Sequence, residues 1–291
     1  MKLDPDVCRS LLFVPAGNER FLNSALRGTA DVIQIDLEDA IAPDRKGEAR
    51  DSARPAVEAI AAAGRVAAVR INVQDDLLEK DLNAVVCANL AALTVPKVES
   101  GPMLAAIDSI VTKLEADRGL PAGGIRLIAQ IETAQGILSA REIALASPRL
   151  AAMGVGMEDL IADVGGTVAA DALYFPSMQT LYAAREARVV PVGYLGSIAV
   201  YRDTDRFTEW VARAKSLGFE GGFCIHPNQV EILNDTLRPS VDEVSAAQAL
   251  VDAAEARSAG GVGAFSYQGK MVDAPVIERA RRTLRRHATF S

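Results

Sequence analysis

The sequence predicts a parallel (β/α)8 barrel followed by a helical extension, and three observations lead there. From Ser10 onward, short β-branched or leucine-rich runs alternate with longer stretches of helical period, the signature of βα units around a parallel sheet. The runs are apolar nearly throughout rather than alternating, as expected of strands covered on both faces. Eight such runs occur, the number that closes a barrel.

In chain order the expected strands are residues 10–14, 32–37, 66–71, 90–95, 127–131, 151–155, 189–194 and 223–225. Helices are expected over 79–88, 103–116, 134–146, 178–187 and 205–217. Asn18 and Asp75 suit helix N-caps, and Gly64 and Gly218 fall where a helix ends on a residue tolerant of positive φ. A helix over 229–235 closes the circuit, so the barrel is assigned to 1–237 and an extension to 238–291. Within that extension a helix is expected over 242–258, a glycine-rich loop over 259–270 and a last helix over 273–287. A barrel needs no such addition, so it is read as a lid or as an arm reaching a neighbouring subunit. A doubly wound open sheet is the competing fold. It would announce a glycine-rich first turn, and Val14-Pro15-Ala16-Gly17-Asn18 has one glycine.

At 291 residues, 49% apolar and 24% charged, the chain has the composition of a globular protein with a large core. A net charge of −7 argues against nucleic acid or an anionic membrane as partner. The basic run from Arg279 to Arg286 is read as the solvated face of the last helix. Cys8, Cys87 and Cys224 are far apart, odd in number and without metal-like spacing, which fits a reducing cytoplasm. No signal peptide is expected at the N-terminus, and no apolar run is long enough for a bilayer span.

The ends of the runs carry the chemistry. The fifth stops on Glu132 and the sixth breaks off at Gly156-Met157-Glu158-Asp159. Others lead into Asp36-Leu37-Glu38-Asp39, Arg70-Ile71-Asn72, Pro96-Lys97 and His226-Pro227. In a parallel barrel the C-terminal rim is where sites are built. Two carboxylates there, completed by waters and a substrate oxygen, suit Mg²⁺. Glu132 and Asp159 form the sharpest pair, with Glu158 adjacent to the second and able to exchange roles with it on the residues alone. Glu38 and Asp39 are too many carboxylates for one cation and suit hydrogen bonds to water around the ion and to Arg70. Arg70 suits a substrate carboxylate, and an internal pair with Glu38 or Asp39 is nearly as good a reading. Lys97 is placed as an electrostatic or ion-pair residue near the substrate rather than as a Schiff-base lysine. His226 is either a base or a packed turn residue bonded to backbone. No Ser-His-Asp or Cys-His arrangement supports covalent catalysis, and zinc lacks ligands.

Arg9-Ser10-Leu11-Leu12-Phe13-Val14-Pro15 with Gly17-Asn18, Asp36-Leu37-Glu38-Asp39-Ala40, Arg70-Ile71-Asn72, Pro96-Lys97-Val98-Glu99-Ser100, Ile131-Glu132-Thr133, Gly156-Met157-Glu158-Asp159-Leu160 and Ile225-His226-Pro227 together spell a pattern. It resembles the citrate lyase β-subunit-like proteins of the HpcH/HpaI aldolase group, which also holds malyl-CoA and citramalyl-CoA lyases. The resemblance implies a TIM barrel, Mg²⁺ held by Glu132 and Asp159, Arg70 near the substrate carboxylate and carbonyl, and a trimer or hexamer. It gives Asp273, in Gly269-Lys270-Met271-Val272-Asp273-Ala274-Pro275, the part of an acid or base closing over an adjacent subunit's site. A helix N-cap before Pro275 is that residue's other reading.

The implied activity is Mg²⁺-dependent carbon–carbon cleavage of a 3-hydroxy-dicarboxylic acyl-CoA of malyl-CoA or citramalyl-CoA type, with Glu38, Arg70 and Asp273 as catalytic residues. The alternatives are condensation with thioester hydrolysis, aldol cleavage of a CoA-free keto-hydroxy acid, and a β subunit active only within a complex. Two departures from the family pattern bear on CoA. Gly221-Gly222-Phe223 lacks a lysine found there in many members, and Val192-Gly193-Tyr194-Leu195-Gly196 replaces an acidic run. Arg20, Arg27 and Lys46 are the substitute cations considered.

Overall fold

The structure is a computed structural model that describes residues 3, 8–258 and 264–290. Eight parallel strands form the sheet: β1 (Ser10–Pro15), β2 (Val32–Asp36), β3 (Val66–Arg70), β4 (Ala92–Val95), β5 (Arg126–Ile131), β6 (Leu150–Val155), β7 (Val190–Val192) and β8 (Gly222–Cys224). Their spatial order is β7-β6-β5-β4-β3-β2-β1-β8. A parallel bridge between Val192 and Gly221 joins the two ends, so the sheet nearly closes. The expected barrel is therefore present.

Alternation along each strand sorts side chains into two cores. One, including Leu11, Val32, Ala68, Ile128, Ala152 and Phe223, fills the barrel interior, and a larger one lies between strands and helices. On β2, β3 and β5 the inward parity continues past this apolar plug. It brings Asp36, Arg70 and Gln130 to the upper tiers, with Glu132 one step beyond β5.

Between the strands run α1 (Glu19–Arg27), α2 (Lys46–Ala62), α3 (Asp75–Val85), α4 (Gly101–Asp117), α5 (Ala134–Leu138), α6 (Ala140–Leu145), α7 (Met157–Val164), α8 (Ala170–Ala187), α9 (Thr204–Leu217) and α10 (Pro227–Leu237). Asn18 caps α1 through Oδ1, which accepts from the Phe21 amide at 3.0 Å. Gly218 ends α9 at φ 111°. Asp75, expected as a cap, is instead the first helical residue of α3, and Gln74 holds the cap position. The single helix expected over 134–146 is two, because Ser139 closes α5 and opens α6. Helix α8 starts eight residues before the expected 178. Pro176 obscured its first two turns, yet Leu173, Leu181 and Ala184 hold the helix through burial. Helix α10 ties back to the start of the barrel: Ser10 Oγ donates to Asn234 Oδ1 at 2.8 Å, and Asn234 Nδ2 to the Thr29 carbonyl at 2.8 Å.

The chain divides into two compact units, Met1–Leu237 and Arg238–Ser291. The second contains α11 (Val241–Ser258), strands β9 (Phe265–Tyr267) and β10 (Lys270–Val272), and α12 (Ala274–Thr289). Ala247, Val251 and Ala280 form its small core. Where a glycine-rich loop was expected over 259–270, residues 264–270 lead into an antiparallel ribbon, and 259–263 lie outside the described residues. Gln268 at φ 48° and Gly269 at φ 74° make the two-residue turn whose twist suits a hairpin. Among the described residues no helix is long and apolar enough to cross a membrane.

Candidate functional site

The register of β2 against β3 sets Asp36 beside Arg70 at the C-terminal rim. Arg70 Nε and Nη2 donate to Asp36 Oδ1 and Oδ2, each at 2.7 Å, a bidentate clamp. Its Nη1 lies 3.1 Å from Glu38 Oε2 and 3.4 Å from Asp39 Oδ2. The guanidinium also sits 4.6 Å above the Phe13 ring. Burial works against its charge, but the hydrogen bonds it donates to Asp36 and the charges of Asp36, Glu38 and Asp39 outweigh that and hold its pKa above the usual value. Arg70 is thus a fixed cation whose Nε edge is already taken. Both Nη groups are engaged as well, by Asp36 and by Glu38 with Asp39, so the internal pairing read from sequence is present with Asp36 as its main, unanticipated partner.

Lys97 takes up the left-handed conformation at φ 50° and directs Nζ to a short hydrogen bond with Glu38 and a 3.3 Å bond with Asp39 Oδ1. That backbone costs about 1–3 kcal/mol in a non-glycine residue, so the surrounding contacts hold it. Burial lowers and these carboxylates raise the Lys97 pKa, with a net upward shift, which leaves no neutral amine for a Schiff base at ordinary pH. Burial raises Glu38's pKa against the pull of Arg70. Lys46, considered as a cation for a ligand, is spent internally. Its Nζ donates to the Leu37 and Glu38 carbonyls and to Asn72 Oδ1, at 2.7 to 2.8 Å, and so pins the loop after β2.

Glu132 is different. It is 1% exposed, and neither carboxylate oxygen has a hydrogen-bond partner within the protein. Burial, then the negative charges of Glu38 and Asp159, push its pKa up to about 8. The Thr133 hydroxyl accepts from the Gly136 amide at 3.1 Å and Asp163 accepts from the Ala134 amide at 2.8 Å, which locks the turn that presents it. Gly156, after β6, lies against it: a Cβ there would stand 2.6 Å from Glu132 Oε1 and 2.8 Å from Gln130 Nε2. Glu158 accepts a short hydrogen bond from Ser197, whereas Asp159 contributes its charge to Glu132. Two bare oxygens beside a second carboxylate are donors of the hard, anionic type a divalent cation needs, and they fit Mg²⁺. Among the described residues no group of three His, Cys, Asp or Glu side chains is set to hold a metal.

Asp36, Asp39, Arg70, Gln130, Gly156 and Asp159 line the polar part of a cavity of about 700 Å³ whose other wall is apolar, with Phe13, Phe21, Met157, Tyr194, Ile198 and Phe223. Arg20 also lines it, and Arg27 does not. His226 borders it with Nδ1 accepting from the Asn228 amide at 3.2 Å, the packed-turn reading, and stacks on Tyr201 at 5.0 Å. The two departures noted near β7 and β8 meet in space. A Cβ on Gly222 would lie 3.1 Å from the buried Tyr194 ring and 2.8 Å from Leu233 Cδ2, so a side chain at 222 requires both to shift. Tyr194 Oη donates to the Phe223 carbonyl at 3.0 Å. Asp273 belongs to the second unit and caps α12, accepting from the Val276 amide at 3.4 Å.

A nearly closed parallel barrel with a fixed arginine and an unpartnered carboxylate at its C-terminal rim is an enzyme scaffold of the (β/α)8 class. The chain belongs to the HpcH/HpaI aldolase/citrate lyase family, whose model matches residues 9–227. It is 34% identical over 283 residues to the citrate lyase subunit beta of Haemophilus influenzae, covering 96% of each chain. It is 31% identical over 315 residues to the L-malyl-CoA/beta-methylmalyl-CoA lyase of Cereibacter sphaeroides, covering 99% of this chain and 96% of that one. Among solved structures, the CitE protein of Mycobacterium tuberculosis in complex with magnesium, acetoacetate and coenzyme A superposes with a TM-score of 0.76 at 30% identity. The match covers 98% of this chain and 100% of that chain.

Proposed function

We propose that the protein is a Mg²⁺-dependent carbon–carbon lyase that cleaves a 3-hydroxy-dicarboxylic acyl-CoA of malyl-CoA or citramalyl-CoA type. The observation that carries this reading is the buried, unpartnered Glu132 carboxylate within the charge field of Asp159. These two residues would hold the ion, and the chemistry it supplies when bound is Lewis-acid stabilisation of oxygen as negative charge builds during cleavage. The relatives' names, malyl-CoA lyase among them, support the thioester substrate.

The chain's own residues do the rest. Arg70, locked by Asp36, adds a preorganised positive charge that needs no rearrangement as the bond breaks. Glu38 holds Lys97 and Arg70 in register and thereby orients the rim. Cleavage removes the proton of the substrate hydroxyl, turns that carbon into a carbonyl, and leaves an enolate whose α-carbon takes up a proton. We assign the proton transfer to Asp273, delivered from a neighbouring copy in a trimer or hexamer.

The test is calorimetric Mg²⁺ binding together with product analysis on malyl-CoA and citramalyl-CoA. Wild type should bind Mg²⁺ and release acetyl-CoA with glyoxylate or pyruvate, and Glu132→Ala and Asp159→Ala should lose both properties. Metal-independent turnover that survives in those variants refutes the assignment.

A further inference from the structure

Two segments on the apolar side of the cavity come from different loops, and one buried side chain joins them. Ile198, between β7 and α9, lines the cavity, as do Ile225 and His226 just after β8. Gln229, the third residue of α10, is 1% exposed. Its Oε1 accepts from the Ile225 amide at 3.0 Å, and its Nε2 donates to the Ile198 carbonyl at 2.9 Å. The two ends of one carboxamide therefore hold one segment each.

Half of this is ordinary helix chemistry. A glutamine or glutamate at the third helical position reaches back to an amide at the helix start, and the oxygen of either serves. The bond to Ile198 is no part of such a cap. It spans 31 residues, and only an amide can make it, because a carboxylate has no proton to donate.

The segment it holds has no regular structure of its own. Residues 193–203 form neither helix nor strand, so ties to neighbouring elements fix their course. Gly196 lies against the Trp210 ring of α9, Ser197 donates a short hydrogen bond to Glu158, and Tyr201 stacks on His226 at 5.0 Å. Between these ties Ile198 packs on the apolar cluster that fills the barrel interior, as Phe13 does. Gln229 does not line the cavity, so whatever it does for a ligand it does through Ile198.

We propose that Gln229 is a positioning residue: its Nε2 holds Ile198 over the barrel mouth and so fixes the apolar wall against which the thioester arm of the substrate lies. The inference rests on the lyase reading, which puts the hydroxy-acid end of an acyl-CoA at Glu132, Asp159 and Arg70 and leaves the apolar wall to the arm. It adds that grip on the arm is set separately from metal binding and from cleavage.

The experiment compares Gln229→Glu, which keeps the cap and removes the donor, with Gln229→Met, which removes both. Each is checked by thermal melting. The readouts are kinetics on malyl-CoA and citramalyl-CoA at saturating Mg²⁺, calorimetric Mg²⁺ binding, and amide hydrogen exchange over residues 195–203. Both variants should raise KM for the thioester that wild type cleaves about three- to ten-fold, the scale of one neutral hydrogen bond. Loop amides should exchange faster, while kcat and Mg²⁺ affinity change by about two-fold or less. On an Ile198→Ala background the same substitutions should raise KM little further, because the side chain being positioned is gone. That arm lets Gln229→Met decide the question if the buried carboxylate of the other variant unfolds the protein.

If Gln229→Glu matches wild type in KM and exchange, the residue is a helix cap and the proposal is overturned. A full further rise in KM on the Ile198→Ala background also overturns it, as does a loss of kcat or Mg²⁺ affinity as large as the change in KM. Any of these results in a wild type that binds Mg²⁺ and cleaves a thioester sinks this inference alone. If wild type binds no Mg²⁺ and cleaves neither thioester, the lyase reading falls and this inference falls with it.

Discussion

At the scale of single residues, Glu132 and Gly156 make the sharpest predictions. In the metal-free protein the Glu132 pKa is raised from 4.5 to about 8, with burial as the first cause. The folded state therefore binds a proton that the unfolded chain releases. That contribution to stability is whole below pH 4.5 and is lost as pH rises through about 8. Magnesium competes with this proton, so the rise in melting temperature on adding Mg²⁺ should be larger at pH 9 than at pH 6. Glu132→Gln should flatten the dependence; a Mg²⁺ shift that ignores pH in wild type would contradict the assignment. Gly156→Ala tests the cradle. The added Cβ falls 2.6 Å from Glu132 Oε1, and overpacking of this kind costs about 1–3 kcal/mol, so Mg²⁺ affinity should drop roughly ten-fold with the melting curve still cooperative.

At the scale of elements, the two ends of the barrel are built for different purposes. Arg149, just before β6 and so at the end opposite the site, is 5% exposed. It joins α4 to the sheet: Nε to Asp108 Oδ1 at 2.5 Å, Nη1 and Nη2 to Glu115 at 2.8 and 2.6 Å, and Nη2 to Thr112 at 2.7 Å. Burial raises the pKa values of Asp108 and Glu115, but hydrogen bonds from Ser147 and Arg149 to the first, and from Arg149 and backbone amides to the second, bring both below normal. Their contribution is therefore present above the ordinary values of 3.8 and 4.5 and fades as pH falls through the lower folded values. Arg149→Ala leaves two carboxylates with their cation gone, and should cost about 3–5 kcal/mol in urea unfolding while activity per folded molecule stays near wild type. The contrast with Glu132 is physical: every acceptor around Arg149 is satisfied, and the rim carboxylate is not.

At the scale of the whole molecule, the proposed part for Asp273 implies sites shared between copies. Glu132→Ala and Asp273→Ala should each be inactive alone. Mixed and allowed to exchange subunits, they should regain a fraction of wild-type turnover, because some sites then combine an intact metal pair with an intact Asp273. No recovery, with exchange shown by mass spectrometry, would place Asp273 in its own copy's site or outside the chemistry.

Much of this architecture was legible in the chain because it depends on near neighbours. Eight apolar runs separated by helical stretches dictate a parallel sheet, and the polarity of a βα unit dictates that Glu132, Asp159, Arg70 and Glu38 emerge at one rim. Asp36 and Gln130 were also within reach, since each is two positions from a residue already singled out and shares its face. They were passed over because a charge inside a strand or an amide inside an apolar run reads as packing until its partner is known. That partner is what tertiary structure decided. The β2–β3 register gave Arg70 to Asp36, the approach of β6 left Glu132 against Gly156 with both oxygens bare, and the Tyr194 ring came to rest beside Gly222. Strand order follows from local pattern, but pairing between residues far apart in sequence is settled only when the barrel closes.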